Sequence, residues 1–596
     1  MVGSRLMITP MQKVTLFCME QDTEETLREL QELGVLHLTP IAPPEGQEVE
    51  AARQRVLEAE QALTVLKATP TADAGTEVCD DHDAALAVST VSDLMVMRQH
   101  VLERKAAAQS DIRALEPYGD FNHALVKSLV ARGVTVRLFH HTDKRPVRVP
   151  DTATRLTLSG DASDCYVAVI GVGELACDGE EFVMPRRSIS QAREGIAVLD
   201  KRLARIDEMF RTLGKRSSGV QAHIAKLVDR AEYVAARAGM GNAPSIAYLQ
   251  GYCAKDVAGR VQSASAQHGW GIVIETPTED DEVPSLIKHP FWVKPVKAIM
   301  DVIRIVPGYR EQDISALFLI FFSVFFAMLI GDAGYGIVFL ALTLFARTKI
   351  KNAPAYPFVM LSLLSICTIV WGTLTGNYFG IPSRYAPLGD YQLTWLMKDN
   401  NIMMLCFLIG VIHMTIAHVW RLILLAPSRK CLEQVGWIAV LWSMFFIARM
   451  LVAQVPAPSY TYTLLAAGIL LIALFMYSNK TEFKSEWINL AMLPLSIVSA
   501  LVDVISYIRL FAVGMASLEV AKSFNSMALD IGFNNVVAMF LSSLILVLGH
   551  LLNIVLCGLA VLVHGVRLNT LEFSMHMGLE WAGIPFKPFK KTAEQP

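Results

Sequence analysis

Most of the common signatures of catalysis are missing from this sequence. There is no GxxxxGK(S/T) phosphate loop; LGKRS at 213–217 lacks the first glycine and the Ser/Thr after Lys215. No GxGxxG follows a strand-like run, and neither a nucleophile elbow nor a zinc motif occurs. ATP chemistry by the chain itself is therefore not expected, and no catalytic residue, cofactor or metal site can be nominated. The nine cysteines are scattered, with no CxxC pair and no metal-ligand spacing. That pattern fits a reducing compartment or thiols buried in lipid. The net charge is -3 and no basic patch is interleaved with aromatics, so no nucleic-acid partner is expected. The first 30 residues lack the apolar core of a signal peptide. The N-terminal half is expected to stay in the cytoplasm.

Charge is also scarce in one whole region. Residues 1–300 carry most of it, whereas 314–576 are nearly continuous apolar runs. Hydropathy divides that region into about eight spans, each near the ~20 residues a bilayer needs. They fall at about 315–331, 334–346, 356–376, 402–425, 435–453, 461–477, 488–524 and 536–576. The first two are separated only by the turn Gly331-Asp332-Ala333-Gly334. Basic residues collect after alternate spans: Arg347, Lys349 and Lys351, then Arg421, Arg429 and Lys430, then Lys480 and Lys484, then Lys587, Lys590 and Lys591. The opposite loops hold Arg384, Lys398 and Arg449. The positive-inside rule then puts both termini in the cytoplasm. The last two spans exceed a bilayer: Pro494 to Phe524 as one helix would reach about 46 Å at 1.5 Å per residue. Such helices must tilt, protrude or break.

Two cations stand inside those long spans. Arg509 lies within LSIVSALVDVISYIRLFAVGMASL (495–518), and Arg567 lies toward the end of 536–571. A cation at bilayer depth costs roughly 2.5–3.5 kcal/mol on insertion scales and marks an ion path or a buried pair. Arginine cannot escape by deprotonation. On a helix Arg509 shares a stripe with Val502, Ile505, Ser506, Val513 and Ala516, which a partner surface could approach closely. The competing reading is a structural ion pair, Arg509 with Asp503 or Arg567 with Glu572. His564 sits one turn before Arg567. Asp332 suits the local hydrogen bonds of its turn. His413, His418 and His550 are ionisable and read as packing or interfacial residues, with a proton relay as the alternative, and Glu519 with Lys522 reads as a pair three residues apart.

The N-terminal half carries two heptad runs. Val49, Val56 and Leu63 interleave with Ala52, Ala59 and Leu66; Ile189, Ile196, Leu203 and Phe210 interleave with Ala192, Leu199, Ile206 and Leu213. Two such runs can pair as an antiparallel intramolecular coil. Short strand-like runs lie around them at 13–17, 35–38, 135–139, 166–171 and 271–275, with a helix at 22–33. The alternative is an ordinary α+β domain with long helices. The expected architecture is multidomain: N-terminal α/β lobes joined by long antiparallel coiled-coil helices, then an all-α polytopic membrane domain of about eight transmembrane helices, the last two long and tilted. The expected divisions are a cytoplasmic arm at 1–310, an ion-translocating membrane domain at 311–580 and a short tail at 581–596.

A resemblance runs over nearly the whole chain. KVTLFCME (13–20), ELGVLHL (32–38), YLQGYCAKDV (248–257), DEVPSLIKHPFWVKP (281–295), GDAGYG (331–336), WGTLTGNYFG (371–380) and GVIHMT (410–415) follow one another in order. VDVISYIRLFAVGMAS (502–517), HGVRLNTLEF (564–573) and PFKPF (585–589) complete the set. Together they resemble the membrane stator subunit of V/A-type rotary ATPases, called subunit I in bacteria and archaea and subunit a in eukaryotes. The departures are Tyr252 and Cys253 for Trp and Val, Val502 for Ser, Ile505 for Leu and Gly565 for Ser; none removes a charge.

The resemblance implies that Arg509 faces a rotating proteolipid ring whose carboxylates carry the ion, with Arg567 as the second arginine. It implies proton or sodium half-channels, with Asp503, Ser506, Ser517, Glu519, His564 and Glu572 as candidate lining. The implied partners are the proteolipid ring, E/G-type peripheral stalk subunits, the central stalk and connector subunit, and the lipid of a cell membrane. The subunit would be non-catalytic within an ATP-hydrolysing or ATP-synthesising complex. The runner-up is a secondary transporter in which Arg509 binds an anionic substrate. No repeat relates the first four spans to the last four, as such transporters often show.

Overall fold

The computed structural model describes residues 7–69, 79–142, 149, 153–161, 164–173, 175, 180–183, 187–350, 353–381, 391–477 and 480–592. The basic positions Lys351 and Arg384 lie outside them. The chain forms two compact units, one from Met1–Lys13, Tyr252–Gly259 and Ile274–Lys587, the other from Val14–Gly251, Arg260–Val273 and Pro588–Pro596.

Strands are β1 (Met11–Met19), β2 (His37–Thr39), β3 (Thr135–His141), β4 (Ala153–Asp161), β5 (Asp164–Gly171), β6 (Glu180–Phe182), β7 (Gly241–Ala243), β8 (Ile246–Ala254) and β9 (Gly271–Glu275). One sheet has the order β2-β8-β1-β9, with β7 on β8; the other has the order β4-β5-β3-β6. The β3–β5, β3–β6 and β4–β5 pairs are antiparallel. The first seven helices are α1 (Thr23–Leu33), α2 (Gln47–Ala68), α3 (Asp81–Leu115), α4 (His123–Ala131), α5 (Ile189–Gly214), α6 (Ser217–Ala238) and α7 (Ala258–His268).

Both heptad runs are helical, in α2 and α5, and their a and d residues turn inward. Their main partners differ from the expectation that they pair with each other. Helix α2 packs along α6, and α5 along α3. Helix α3 has its own seam, with Ala84, Ala87, Val91, Leu94, Ala108 and Leu115 buried. Charge hides that seam in the sequence, because Arg98 and Lys105 fall on it. The structure gives each a carboxylate on α5: Arg98 Nε lies 3.5 Å from Asp207, and Lys105 Nζ 2.5 Å from Asp200. Helix α5 opens with a capping box in which Ser188 and Gln191 satisfy each other's backbone amides.

The apolar half continues with α8 (Lys297–Ile303), α9 (Ser315–Ile330), α10 (Ala333–Lys349), α11 (Ala355–Thr375), α12 (Asp399–Leu425), α13 (Cys431–Ala453), α14 (Thr461–Phe475), α15 (Lys480–Ser506), α16 (Ile508–Ile531), α17 (Val536–Ala560) and α18 (Ser574–Met577). Among the described residues, five helical stretches are long and apolar enough to cross a membrane: α11, α12, α13, Leu490–Ile531 and Val536–Met577. A sixth follows if α9 and α10, bent by 120° at their junction, count as one broken span. Helix α14 is apolar but shorter.

The bend has a local cause. Gly331 takes a left-handed φ of 69°, and Asp332 caps α10 by accepting from the Gly334 and Tyr335 amides at 2.8 and 3.2 Å. Helix α17 has an inverted polarity, with its small and polar residues buried. Its buried residues are Ser542, Gly549, Asn553 and Cys557, while Val547, Leu551, Val555 and Leu559 are exposed. Small and polar side chains pack inward and branched apolar ones face out, a pattern that membrane helices favour.

Candidate functional site

The 42-residue stretch Leu490–Ile531 would be about 63 Å long as a regular helix. It is interrupted at Tyr507, between α15 and α16. There the Leu510 amide turns to Tyr507 O at 3.1 Å. The Ser506 carbonyl instead accepts from Arg509 Nε at 2.9 Å. Tyr507 is fully buried, with its hydroxyl 2.8 Å from His413 Nδ1 on α12. It fits because residue 410 is glycine; a Cβ there would lie 2.6 Å from the tyrosine ring. The interruption thus fixes the position of the arginine that follows it.

Arg509 Nη2 donates to Glu572 Oε1 in a short ion pair. Arg567 Nε lies 3.6 Å from that same oxygen, and Ser506 Oγ 3.5 Å. Glu572 is 4% exposed, and its Oε2 is buried with no hydrogen-bond partner among the described residues. Of the two structural pairs weighed from sequence, Arg509 with Asp503 is replaced by Arg509 with Glu572. The Arg567–Glu572 pair forms, but in a shared arrangement.

The sequence obscures this because positions 567 and 572 are five apart. Two π-helical turns, Val561–Gly565 and Leu568–Phe573, follow α17. A π turn places i and i+5 over one another, and such turns recur at functional sites.

Asp503, six residues before Arg509, accepts from or donates to neither arginine in the described contacts. Its Oδ2 lies 3.2 Å from His576 Nε2. His576 Nδ1 lies 3.0 Å from His418 Nε2, and His418 Nδ1 2.8 Å from Gln434 Oε1. Arg421 Nη1 donates to His576 O at 3.3 Å. This string joins α12, α13, α15 and α18.

A second string lies in the other direction along α16. Asn553 Nδ2 reaches Ser517 O at 2.9 Å and the Tyr335 hydroxyl at 3.0 Å. The Tyr335 hydroxyl is 2.7 Å from His550 Nδ1, and His550 Nε2 is 3.1 Å from Asn525 Oδ1. Cys557 Sγ donates to Ser517 Oγ at 3.1 Å. Asp503 and Ser517 lie about 9 and 12 Å from Arg509 along the helix axis, in opposite directions.

The remaining candidates scatter. Glu519 is exposed and pairs with Lys522 at 2.7 Å. His564 Nδ1 is buried without a hydrogen-bond partner among the described residues. His413 stacks between Phe321 and Phe573, with centroids at 3.9 and 4.3 Å. Sequence reasoning missed His576, Gln434, Tyr335, Asn525 and Asn553. Asn553 alone carried a signal, an amide inside an otherwise apolar run. Among the described residues no cluster of His, Cys, Asp and Glu could hold a metal ion.

No family model matches the chain. The V-type ATP synthase subunit I 1 of Treponema pallidum (strain Nichols) is 30% identical over 631 residues, 98% of this chain and 100% of the relative. The V-type ATP synthase subunit I of Borreliella burgdorferi is 34% identical over 364 residues, 58% of this chain and 60% of the relative. The A-type ATP synthase subunit I of Methanocaldococcus jannaschii is 26% identical over 367 residues, 54% of this chain and 51% of the relative. Identity of this order across the whole length of both chains places the protein in the V/A-type ATP synthase subunit I family.

Proposed function

We propose that this subunit is the membrane stator of a rotary ATPase and provides the two ion half-channels against a rotating ring of proteolipid subunits. The reading includes eight transmembrane segments with both termini cytoplasmic, α9, α10 and α14 being the short ones. Its N-terminal helices form the arm that meets the peripheral stalks, and the subunit performs no ATP chemistry itself. The observation that carries the reading is Arg509, held at the break of a long apolar helix with a polar string on either side of it.

A ring carboxylate that passes Arg509 is held ionised, because an opposite charge within ~4–6 Å lowers its pKa. The carboxylate must release its ion before it arrives and reload after it leaves. The Asp503–His576–His418 string serves one half-channel, and the Ser517–Asn553–Tyr335–His550 string the other. The permanent charge of Arg509 blocks a direct cation leak between them. Lysine is a poor substitute, since burial can strip its proton.

The test is ATP-driven ion uptake in vesicles carrying the whole complex, wild type against Arg509→Ala and Arg509→Lys. Assembly is checked by co-purification of the ring. Both variants are expected to lose uptake with the ring still bound. Retained uptake by either, in an intact complex, overturns the assignment.

A further inference from the structure

A cavity of about 530 Å³ opens beside the start of α9, apart from both polar strings. Its size is within the ~300–1,000 Å³ range of small-ligand sites. Lys297, Arg304 and Lys587 line it, against the single carboxylate of Asp301. Ser285, His289 and Ser315 add polar side chains to the wall. Ser285 Oγ and His289 Nδ1 are both buried and lack hydrogen-bond partners among the described residues. The nearest carboxylate to His289, Asp313 Oδ2, is 4.0 Å away, and the other oxygen of Asp313 is taken by the Ser315 amide and hydroxyl. Arg304 holds a left-handed φ of 56°, a conformation that favours glycine. The wall is therefore rich in cations and holds two unpartnered polar atoms.

The cavity lies at the end of the apolar helices. Val293 and Val296 are buried in the membrane-domain core, and Ile299, Met300 and Ile303 of α8 pack against it. Lys297 Nζ sits 5.8 Å from the centre of the Tyr356 ring, and the Tyr356 hydroxyl donates to Asp301 at 3.3 Å; Tyr356 is the second residue of α11. The helices α9 and α11 start at this level and α10 ends there, with Arg347 and Lys349 in its last turn. Nearby, Phe291 is 89% exposed, Val302 72% and Trp292 49%. Exposed aromatics at a span boundary are interfacial anchors.

We infer that this cavity binds the phosphate headgroup of an anionic phospholipid, with Lys297, Arg304 and Lys587 as its cations. Arginine and lysine make charge-assisted bonds to phosphate oxygens, and the Ser285 hydroxyl supplies a further donor, with His289 adding one when its Nδ1 carries the proton. Basic pockets at the ends of membrane helices suit such headgroups. The apolar side chains of Phe291, Trp292 and Val302 select a lipid over free phosphate, because they would enter the headgroup boundary beside it.

The experiment uses the assembled complex, delipidated in detergent. Dioleoylphosphatidylglycerol, dioleoylphosphatidylcholine or inorganic phosphate is added back, and bound ligand is measured by mass spectrometry. Phosphatidylglycerol is expected to bind in preference to phosphatidylcholine. Each cation removed should cost roughly fivefold, so Lys297→Gln with Arg304→Gln loses about thirtyfold. Lys587→Gln, near the C-terminal end of the chain, should lose about fivefold and serves if the double variant fails to assemble. Arg347→Gln with Lys349→Gln should leave binding within twofold. Equal binding of the two lipids, an equal loss in the Arg347/Lys349 variant, no loss in Lys587→Gln, or displacement of the lipid by millimolar phosphate each overturns the proposal.

Discussion

Glu572→Gln separates the two arginines from the charge they share. The substitution keeps the shape and a hydrogen-bond acceptor beside Arg509, so the lost quantity is mainly Coulombic. Charges about 4 Å apart interact by about 4 kcal/mol at an effective dielectric of 20. Arg509 is 22% exposed, so screening reduces that to roughly 2 kcal/mol, or about thirtyfold in an equilibrium. On the proposed function, an Arg509 without Glu572 holds the passing ring carboxylate more tightly by that factor. Transport driven by ATP should fall roughly thirtyfold, while the ring still co-purifies. The assay is ion uptake into reconstituted vesicles, with ATP hydrolysis measured in parallel. Uptake within twofold of wild type, in an assembled complex, would refute the competition between Glu572 and the ring carboxylate.

Asp332→Ala removes the N-cap of α10 and its contact from the Gly380 amide at 3.3 Å. It should cost about 1–2 kcal/mol of stability, read as a lower thermal midpoint of the detergent-solubilised subunit. An unchanged midpoint would show that the turn is held by other contacts. Away from the membrane helices, the Lys13 ammonium 2.6 Å from Asp281, helped by the Thr278 amide and hydroxyl, pulls the Asp281 carboxyl down to about 2. A depressed carboxylate stabilises the fold above its unfolded pKa, ~3.9, and loses that contribution as pH falls toward its folded value. The stability difference between wild type and Asp281→Asn should therefore be constant near neutrality and shrink between about pH 4 and pH 2. A difference that does not change over that window contradicts the pair.

Elements whose pattern is local were legible. GIVIE at 271–275 alternates along its length and is β9. The helix expected at 22–33 is α1, closed by Gly34 in the left-handed conformation. Pairing between elements was not legible. Arg98 and Lys105 break the apolar seam of α3, so the helix that partners α5 carries no heptad signal of its own. The same contrast holds at the site. Arg509 stands out because a cation in an apolar run is costly wherever the run folds. Its partner Glu572 lies 63 residues away, and π turns bring it into place. The Asp503–His576–His418 string depends on separations of 73 and 158 residues. No periodicity reports contacts of that kind.

The charge count at the centre has a further consequence. Two arginines share one buried carboxylate, and Asp503 is engaged by His576 instead. The arginine pair with Glu572 thus carries one net positive charge, which matches a single passing ring carboxylate on the proposed function. Glu572→Gln raises that net charge by one unit and over-holds the carboxylate. Arg567→Gln lowers it by one and under-holds it, with a smaller effect because Arg567 is 56% exposed and 3.6 Å from Glu572. The two changes act in opposite directions on the same quantity. The double variant restores a net charge of one and should recover part of the transport lost in Glu572→Gln. Residues that share one network are expected to be non-additive in this way. A double variant no better than Glu572→Gln alone would mean that Arg567 does not share in the charge that meets the ring.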